Sequence, residues 1–363
     1  MSPSWRKYIK TGVHHPNELA GHIRIDVPSL EKVCDIYPMR INAYFLDLMK
    51  KRGASLMRQV VPDPRELEDA TGWVDPLAEE RNSSVPNLVH RYPDRVLFLV
   101  SNQCGVYCRF CTRKRKIGRW DPIQDQAIEE GFRYIRQHGE IFDVLLSGGD
   151  PLLLSDEKLD WILMKIKEIS HVGVVRIGTR IPSVLPQRVT SRLANILSKT
   201  KNLYINLHFN HPDEITDEVK RAIRLLSDRG IPLGSQTVLL KGINDHVSVI
   251  SRLMRMLLQI RVKPYYLLHA DLVKGTEHFR TTVDTGLFIM RQLRGHMSGL
   301  AVPTYVVDLP GGGGKVPLLP GYVIKKTANE LVIQNYQGYV YRVPNLPFST
   351  TMGEFQEKAF IEN

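Results

Sequence analysis

"RVLFLVSNQCGVYCRFC", residues 95–111, joins an apolar run directly to three cysteines. The first half, 95–102, is short, β-branched and aromatic, and it ends at Asn102, as a buried strand does. The second half sets Cys104, Cys108 and Cys111 on the loop that follows. Chemistry carried at the C-terminal end of a strand is the habit of α/β proteins whose strand ends face a common mouth.

Similar strand-like runs recur downstream at 142–149, 172–180, 202–210, 231–240 and 263–271, each followed by a segment with helical spacing. "SDEKLDWILMKIKEIS" (155–170) begins at Ser155 as N-cap, and "TDEVKRAIRLLSDRG" (216–230) stops at Gly230. Six β–α units in succession predict parallel strands with right-handed crossovers. The fold class is therefore α/β, a partial, open TIM-like barrel of about six units. Its strand ends supply site candidates: Asn102, Ser147 to Asp150, Arg180, His208 to His211, Gln236 and Asp271. Residues 1–88 predict a mostly helical N-terminal extension, in which the Pro- and Asp-rich stretch 60–88 reads as loop and short helix leading to the core. The barrel is expected over 89–300. Residues 301–363 are expected to hold a further strand, a glycine–lysine loop and short β-hairpins.

The chain has 363 residues, is 43% hydrophobic and 24% charged, and carries a formal net charge of +11. No apolar run is long enough for a membrane span, and the N-terminus shows no export signal. With clustered rather than scattered thiols, these features lead us to expect a cytoplasmic protein in a reducing compartment. The excess positive charge reads either as a solvated basic surface or as attraction to anionic partners. Only "RKRK" (113–116) is dense.

Three thiolates in a C-x3-C-x2-C loop suit three irons of a 4Fe–4S cluster whose fourth iron stays open to chelate a small molecule. The competing reading is a zinc or electron-transfer site, which asks for a fourth protein ligand. "LSGGDPLL" (146–153) adds a Gly148–Gly149–Asp150 turn at a second strand end, where backbone can approach a ligand closely.

"DLPGGGGKVPLLPGY" (308–322) first suggests a nucleotide phosphate loop. That motif needs a hydroxyl residue after its lysine and a helix beyond it. Here Val316 follows Lys315, Leu309 stands where the first glycine belongs, and Pro317 and Pro320 oppose a helix. A lysine on a flexible backbone at a barrel mouth suits a Schiff base instead, and pyridoxal phosphate (PLP) is the aldehyde cofactor for it.

The cysteine spacing, with an aromatic residue before the last cysteine, resembles the radical S-adenosylmethionine (SAM) superfamily. The wider series resembles the lysine 2,3-aminomutase family: "HRYPDRVLFLVSNQCGVYCRFCTRKRK", "LLSGGDPLL", "RIGTRIPSVLPQRV", "LHFNHPDEIT", "KPYYLLHADLVKGTEHFRT" and "QLRGHMSGLAVPTYVVDLPGGGGKVPLLPGYV". The similarity runs from about Trp5 to about Tyr322. It implies an isomerase that uses a 4Fe–4S cluster, SAM and PLP. A 5′-deoxyadenosyl radical takes a hydrogen from the β-carbon of L-lysine, and the nitrogen migrates from the α- to the β-carbon to give L-β-lysine.

The resemblance also implies roles. Cys104, Cys108 and Cys111 hold the cluster, and Lys315 pairs with PLP. Arg91 and Arg95 lie near the PLP phosphate, and Gly148, Gly149, Asp150, His208 and Gln236 face SAM or cofactor. Arg113 binds the substrate carboxylate, and Asp271 and Asp308 receive its distant ammonium. A relative of the elongation factor P β-lysylation type, or one acting on glutamate or arginine, is the alternative. Longer members carry a C-terminal zinc-binding cysteine cluster. This chain has no cysteine after Cys111, and His246 stands where one such thiol would be, so zinc is not expected. Leu268 stands where well-known members have a tyrosine near PLP. The partners implied are lysine and a reducing electron-donor protein, with no nucleic acid and no membrane; a homo-oligomer is left open.

Overall fold

The computed structural model describes residues 4–118 and 123–345. The last eighteen residues of the expected 301–363 segment, and residues 1–3 of the first, lie outside the described residues. The described strands form a ten-stranded and a three-stranded sheet.

The large sheet contains β1 (Ser83–Val85), β2 (Leu88–Tyr92), β3 (Arg95–Ser101), β4 (Asp143–Gly148), β5 (Val174–Thr179), β6 (Leu203–His208), β7 (Leu233–Leu239), β8 (Lys263–His269), β9 (Thr304–Leu309) and β10 (Gly314–Pro317), in that spatial order. Strands β3 to β9 are parallel, while β1, β2 and β10 pair antiparallel at the two edges. The edges do not join, so the barrel is open. A small antiparallel sheet, β11 (Val323–Lys326), β12 (Glu330–Gln334) and β13 (Val340–Pro344), follows.

The chain begins with α1 (Trp5–Lys10), α2 (Pro16–Ala20), α3 (Val27–Ile36), α4 (Ala43–Arg52) and α5 (Ala54–Met57). The crossovers use α6 (Asp125–Gln137), α7 (Asp156–Lys167), the short α8 (Ile181–Val184) with α9 (Ser191–Ser198), α10 (Asp217–Ser227), α11 (Val247–Gln259) and α12 (Val283–Leu293). All six expected β–α units are present. The edge strands β1, β2 and β10 are additions. β2 and β3 meet in a tight hairpin at Pro93–Asp94, with Tyr92 opposite Arg95.

Local chemistry explains the helices. The Ser155 hydroxyl accepts from the Lys158 amide at 3.1 Å, and Thr216 caps α10 in the same way. Helix α10 buries Val219, Ala222, Ile223 and Leu226, the i, i+3, i+4, i+7 stripe that faces the sheet. Burying a side chain such as Ile223 contributes about 1.5–3 kcal/mol. Among the described residues, no helix is long and apolar enough to cross a membrane.

Strand alternation then decides what faces the barrel interior. In β5, Val175 and Ile177 are buried away from the cavity, whereas Arg176 and Gly178 line it, joined at the strand end by Thr179. In β7, Leu233, Ser235, Thr237 and Leu239 are buried, and Gln236 and Val238 line the cavity. The period of two thus sorts each strand into a core face and a site face.

The N-terminal helices build a second core around Leu19, Ile41, Phe45, Met49 and Val60, which also takes in Val106 from the cysteine loop and Val184 from α8. The stretch 60–88, expected as a connecting loop, instead packs back on the barrel mouth. Trp73 bridges Val273, and the Gly311 amide donates to the Pro76 carbonyl at 2.7 Å.

Candidate active site

A cavity of about 510 Å³ occupies the barrel mouth and interior. Every residue to which the resemblance gives a role lines it: Arg91, Arg95, Cys104, Cys108, Cys111, Arg113, Gly148, Gly149, Asp150, His208, Gln236, Asp271, Asp308 and Lys315; of the strand-end candidates, Asn102 and the stretch 209–211 do not. Leu268 lines it as well. Residues up to 224 positions apart are therefore brought to one space by parallel strands that all end on the same side.

The cysteine loop is held from two directions. From the barrel, Gly149 and Asp150 donate backbone N–H bonds to the Ser101 and Gln103 carbonyls. Gly148 sits at φ +116°, and a Cβ there would lie 2.1 Å from Ser101 O. The Gly-Gly turn was expected to let backbone approach a ligand. What it admits in the structure is the backbone that leads into Cys104. From the extension, the Tyr107 amide donates to Arg40 O and the Arg109 amide to Gln59 O, each at 2.9 Å.

Asp150 departs from its expected role. Its carboxylate accepts from the Leu152, Arg180 and Ile181 amides and from the Thr179 hydroxyl. It is buried and committed to backbone, and it fixes Arg180, whose Nη1 donates to Cys108 Sγ at 2.7 Å.

Burial pushes the Cys111 thiol up to about 11, with help from Cys108, and raises Cys104 well above its ordinary value, with help from Cys111. Such thiols shed their protons only to a strong Lewis acid. Among the described residues, no three His, Cys, Asp or Glu side chains converge as one metal ion would require. A cluster makes a different demand, because each cysteine takes its own iron and the sulfurs stay apart. Three half-buried thiols lining one cavity fit that demand better than a zinc site.

Opposite them stands the β9–β10 hairpin, in which Lys315 pairs across the strands with Asp308. Their side chains form an ion pair, and Arg91 Nη1 lies 3.8 Å from the other Asp308 oxygen. The glycine run is needed here for geometry. Gly311, Gly312 and Gly314 all have positive φ, and at Gly314 a φ of +100° strains any side chain while an added Cβ would lie 3.3 Å from Arg91 Nη2. The Lys315 amide donates to Tyr92 Oη at 3.0 Å. Arg91 and Arg95 both stack on the Tyr92 ring, at 5.0 and 4.0 Å. Arg91 Nη2 and Asp308 Oδ1 are buried with no hydrogen-bond partner among the described residues. An orphaned guanidinium nitrogen fits a phosphate oxygen, and an orphaned carboxylate oxygen fits an ammonium. Burial pushes Asp271 up to about 7, with Asp308 adding to the rise while Lys315 and Arg113 oppose it.

Sequence reasoning missed the partner of Arg113. Its Nε and Nη2 are bound by Glu79, at 2.9 and 2.7 Å. Glu79 is 4% exposed and lines the same cavity. The rest of the basic run is paired too: Lys114 with buried Glu66, Arg115 with Asp75 at 2.9 Å, and Lys116 with Glu80 at 3.9 Å. Each cation of "RKRK" thus has an acidic partner among residues 66–80, with Glu66 shared between Lys114 and Arg109. Three buried acids in that stretch, Glu66, Asp69 and Glu79, were the available signal. Tyr92, sitting inside the quoted "HRYPDR", was also overlooked.

His208 stacks on Phe110, centroid to centroid 5.6 Å, and its Nε2 meets Asn210 Oδ1 at 3.1 Å. Burial, then the nearby Arg180, lowers it to about 3, so it is a neutral ring. Gln236 lines the wall beside it, as the two residues are register partners across β6 and β7.

Comparison with known proteins matches two parts of this architecture. The Radical SAM superfamily model covers residues 98–253, from the cysteine strand into α11. A second model, described as Lysine-2,3-aminomutase, covers residues 290–362 and includes the lysine hairpin. The chain is 45% identical to an L-lysine 2,3-aminomutase of Acetoanaerobium sticklandii, over 93% of this chain and 83% of that one. It is 46% identical to an L-lysine 2,3-aminomutase of Clostridium subterminale, over 93% and 82%. A glutamate 2,3-aminomutase of Clostridioides difficile is 48% identical over 79% of this chain and 68% of that one. With its thiols, glycine turn and lysine hairpin gathered on one cavity and this identity running nearly end to end, the chain belongs to the lysine 2,3-aminomutase family.

Proposed function

We propose that the protein is an L-lysine 2,3-aminomutase, converting L-lysine to L-β-lysine by a radical 1,2-amino migration. The observation that carries the choice of lysine is the acidic end of the cavity, where Asp271 is buried beside Asp308, and burial and then that neighbour raise the Asp271 carboxyl. A substrate ammonium entering a buried cavity needs such partners, whereas a second carboxylate would be repelled. A glutamate-acting reading has a relative of similar identity in its favour and this pair of acids against it.

Membership of the family implies a 4Fe–4S cluster, SAM and PLP. When bound, these groups supply a hydrogen-abstracting carbon radical and an aldehyde that ties down the migrating nitrogen. Cys104, Cys108 and Cys111 would hold the cluster, with Gly148, Gly149, His208 and Gln236 forming the wall beside it. Arg91 and Arg95, braced on Tyr92, would take the PLP phosphate, and Lys315 would take its aldehyde. Neutral His208 can accept or donate a hydrogen bond without bringing charge to a radical site. Arg113 has five N–H donors, so its pairing with Glu79 leaves capacity for a substrate carboxylate. A reducing cytoplasmic setting suits thiols that must remain unoxidised.

The test is anaerobic incubation of the reconstituted, reduced protein with SAM, PLP and single amino acids. β-Lysine should form from lysine, with glutamate and arginine inert. A β-isomer from glutamate or arginine with none from lysine would overturn the assignment.

A further inference from the structure

Arg180 has no role in the reading above, yet it is among the most tightly held side chains at the site. It is 8% exposed, at the end of β5. Its amide donates to Asp150 Oδ2 at 2.7 Å. Nη2 donates to Gln59 Oε1, and Glu214 Oε1 lies 3.5 Å away. The guanidinium also lies 5.2 Å from the centre of the Phe110 ring. These contacts aim Nη1 at Cys108 Sγ.

We propose that Arg180 is a positioning residue that sets the reduction potential of the iron–sulfur cluster. The inference rests on the cluster reading of Cys104, Cys108 and Cys111. Reduction adds one electron to the cluster and makes it more negative. A fixed cation that hydrogen-bonds a ligating sulfur stabilises that more negative state, and it does so strongly where water is excluded. Arg180 therefore makes the cluster easier to reduce. Glu214 is fully buried, lies 3.5 Å from Nη2 rather than against the Nη1 that meets Cys108, and tempers this effect. The pair gives two substitutions with opposite signs.

The experiment is an EPR-monitored redox titration of the full-length, reconstituted protein without SAM, using a low-potential chemical reductant. Arg180→Gln should shift the midpoint to a more negative value, and Arg180→Lys, which keeps charge but loses the planar fork, should shift it less. Glu214→Gln should shift it to a more positive value. A purely structural role predicts no ordered, sign-reversing series. An unchanged midpoint in Arg180→Gln at equal iron content would overturn the proposal. So would a negative shift in Glu214→Gln, which decides the matter if Arg180→Gln takes up no iron. Wild-type protein that binds no cluster would overturn the cluster reading first, and this proposal with it.

Discussion

The six β–α units and the stretch from Gln59 to Asn82 serve the same cavity by opposite means. The units present site residues through alternation: one strand face enters the core, the other faces the mouth, and the residue at each strand end is placed by register. The stretch has almost no regular structure, only a 3-10 turn at Pro64–Glu66. It acts through buried carboxylates. Glu66 holds Arg109 and Lys114, Asp69 accepts from the amides of Gly275, Thr276 and Glu277, and Glu79 holds Arg113. The periodic region decides which residues face the cavity. The irregular region decides which charges there stay balanced.

The largest expected effect lies at the edge of the sheet that those units build, in the β9–β10 hairpin. Lys315→Ala removes the only side chain in the hairpin suited to the PLP aldehyde. Turnover should fall to background, and the visible absorbance of bound PLP should be lost while the iron–sulfur absorbance remains. Retained PLP absorbance and turnover would return Lys315 to the status of an ordinary loop lysine.

Next comes the irregular side. Glu66→Ala leaves Arg109 and Lys114 buried without their carboxylate, which should cost about 3–5 kcal/mol in denaturant unfolding. The same group predicts acid sensitivity. Burial opposes the ionised Glu66, but Arg109 and Lys114 outweigh it and hold the carboxyl below its usual value. The stability it contributes is thus complete above the unfolded carboxyl range and is lost as pH falls through the lowered folded value. Wild-type and Glu66→Gln unfolding curves should converge toward low pH. Curves that stay parallel would deny Glu66 this role.

The same contrast explains what was legible in the sequence. Strands such as 95–102 and helices such as 216–230 announce themselves because their burial repeats at a fixed period. That Cys104, Cys108, Cys111 and Lys315 belong to one candidate site was legible from spacing and neighbours, since Val316 and the prolines opposed the phosphate loop, and all four line the cavity. Asp150 was placed at the right strand end, but its carboxylate turned inward to backbone amides, a choice that depends on the loop after β5 and leaves no mark in its own motif. Glu79 was missed because pairing across 34 residues through an irregular segment has no period to detect. The edge hairpin carrying Arg91 and Tyr92 escaped for a related reason: β2 is short and interrupted by polar residues, and only its pairing with β3 makes it a strand.

Glu79→Gln sharpens the comparison at intermediate size. It keeps shape and one acceptor but removes the charge, so Arg113 loses a charge-assisted bond worth about 1.5–3 kcal/mol. If Glu79 holds Arg113 for the substrate carboxylate, KM for lysine should change by tenfold or more, with a smaller change in kcat. A change confined to thermal stability, with KM intact, would reduce Glu79 to a structural brace.

The smallest effect is a pH dependence where the two regions meet, at Asp271. Burial, then Asp308, raises its carboxyl to about 7. An ammonium is best received by a carboxylate, and lysine keeps its ε-ammonium throughout the neutral range. Lysine binding should therefore weaken as pH falls below about 7, approaching tenfold per unit where one proton must be released. For the empty protein the sign reverses. Between the unfolded carboxyl range and about 7, the folded chain holds a proton that the unfolded chain has released, so stability falls as pH rises through that window. Asp271→Asn should flatten both trends, because an amide cannot titrate. Glu79 also raises Asp271, so Glu79→Gln should move the midpoint of the binding profile to lower pH. A midpoint unmoved by Glu79→Gln would mean that the irregular stretch balances Arg113 alone, with no electrical reach to Asp271 and Asp308.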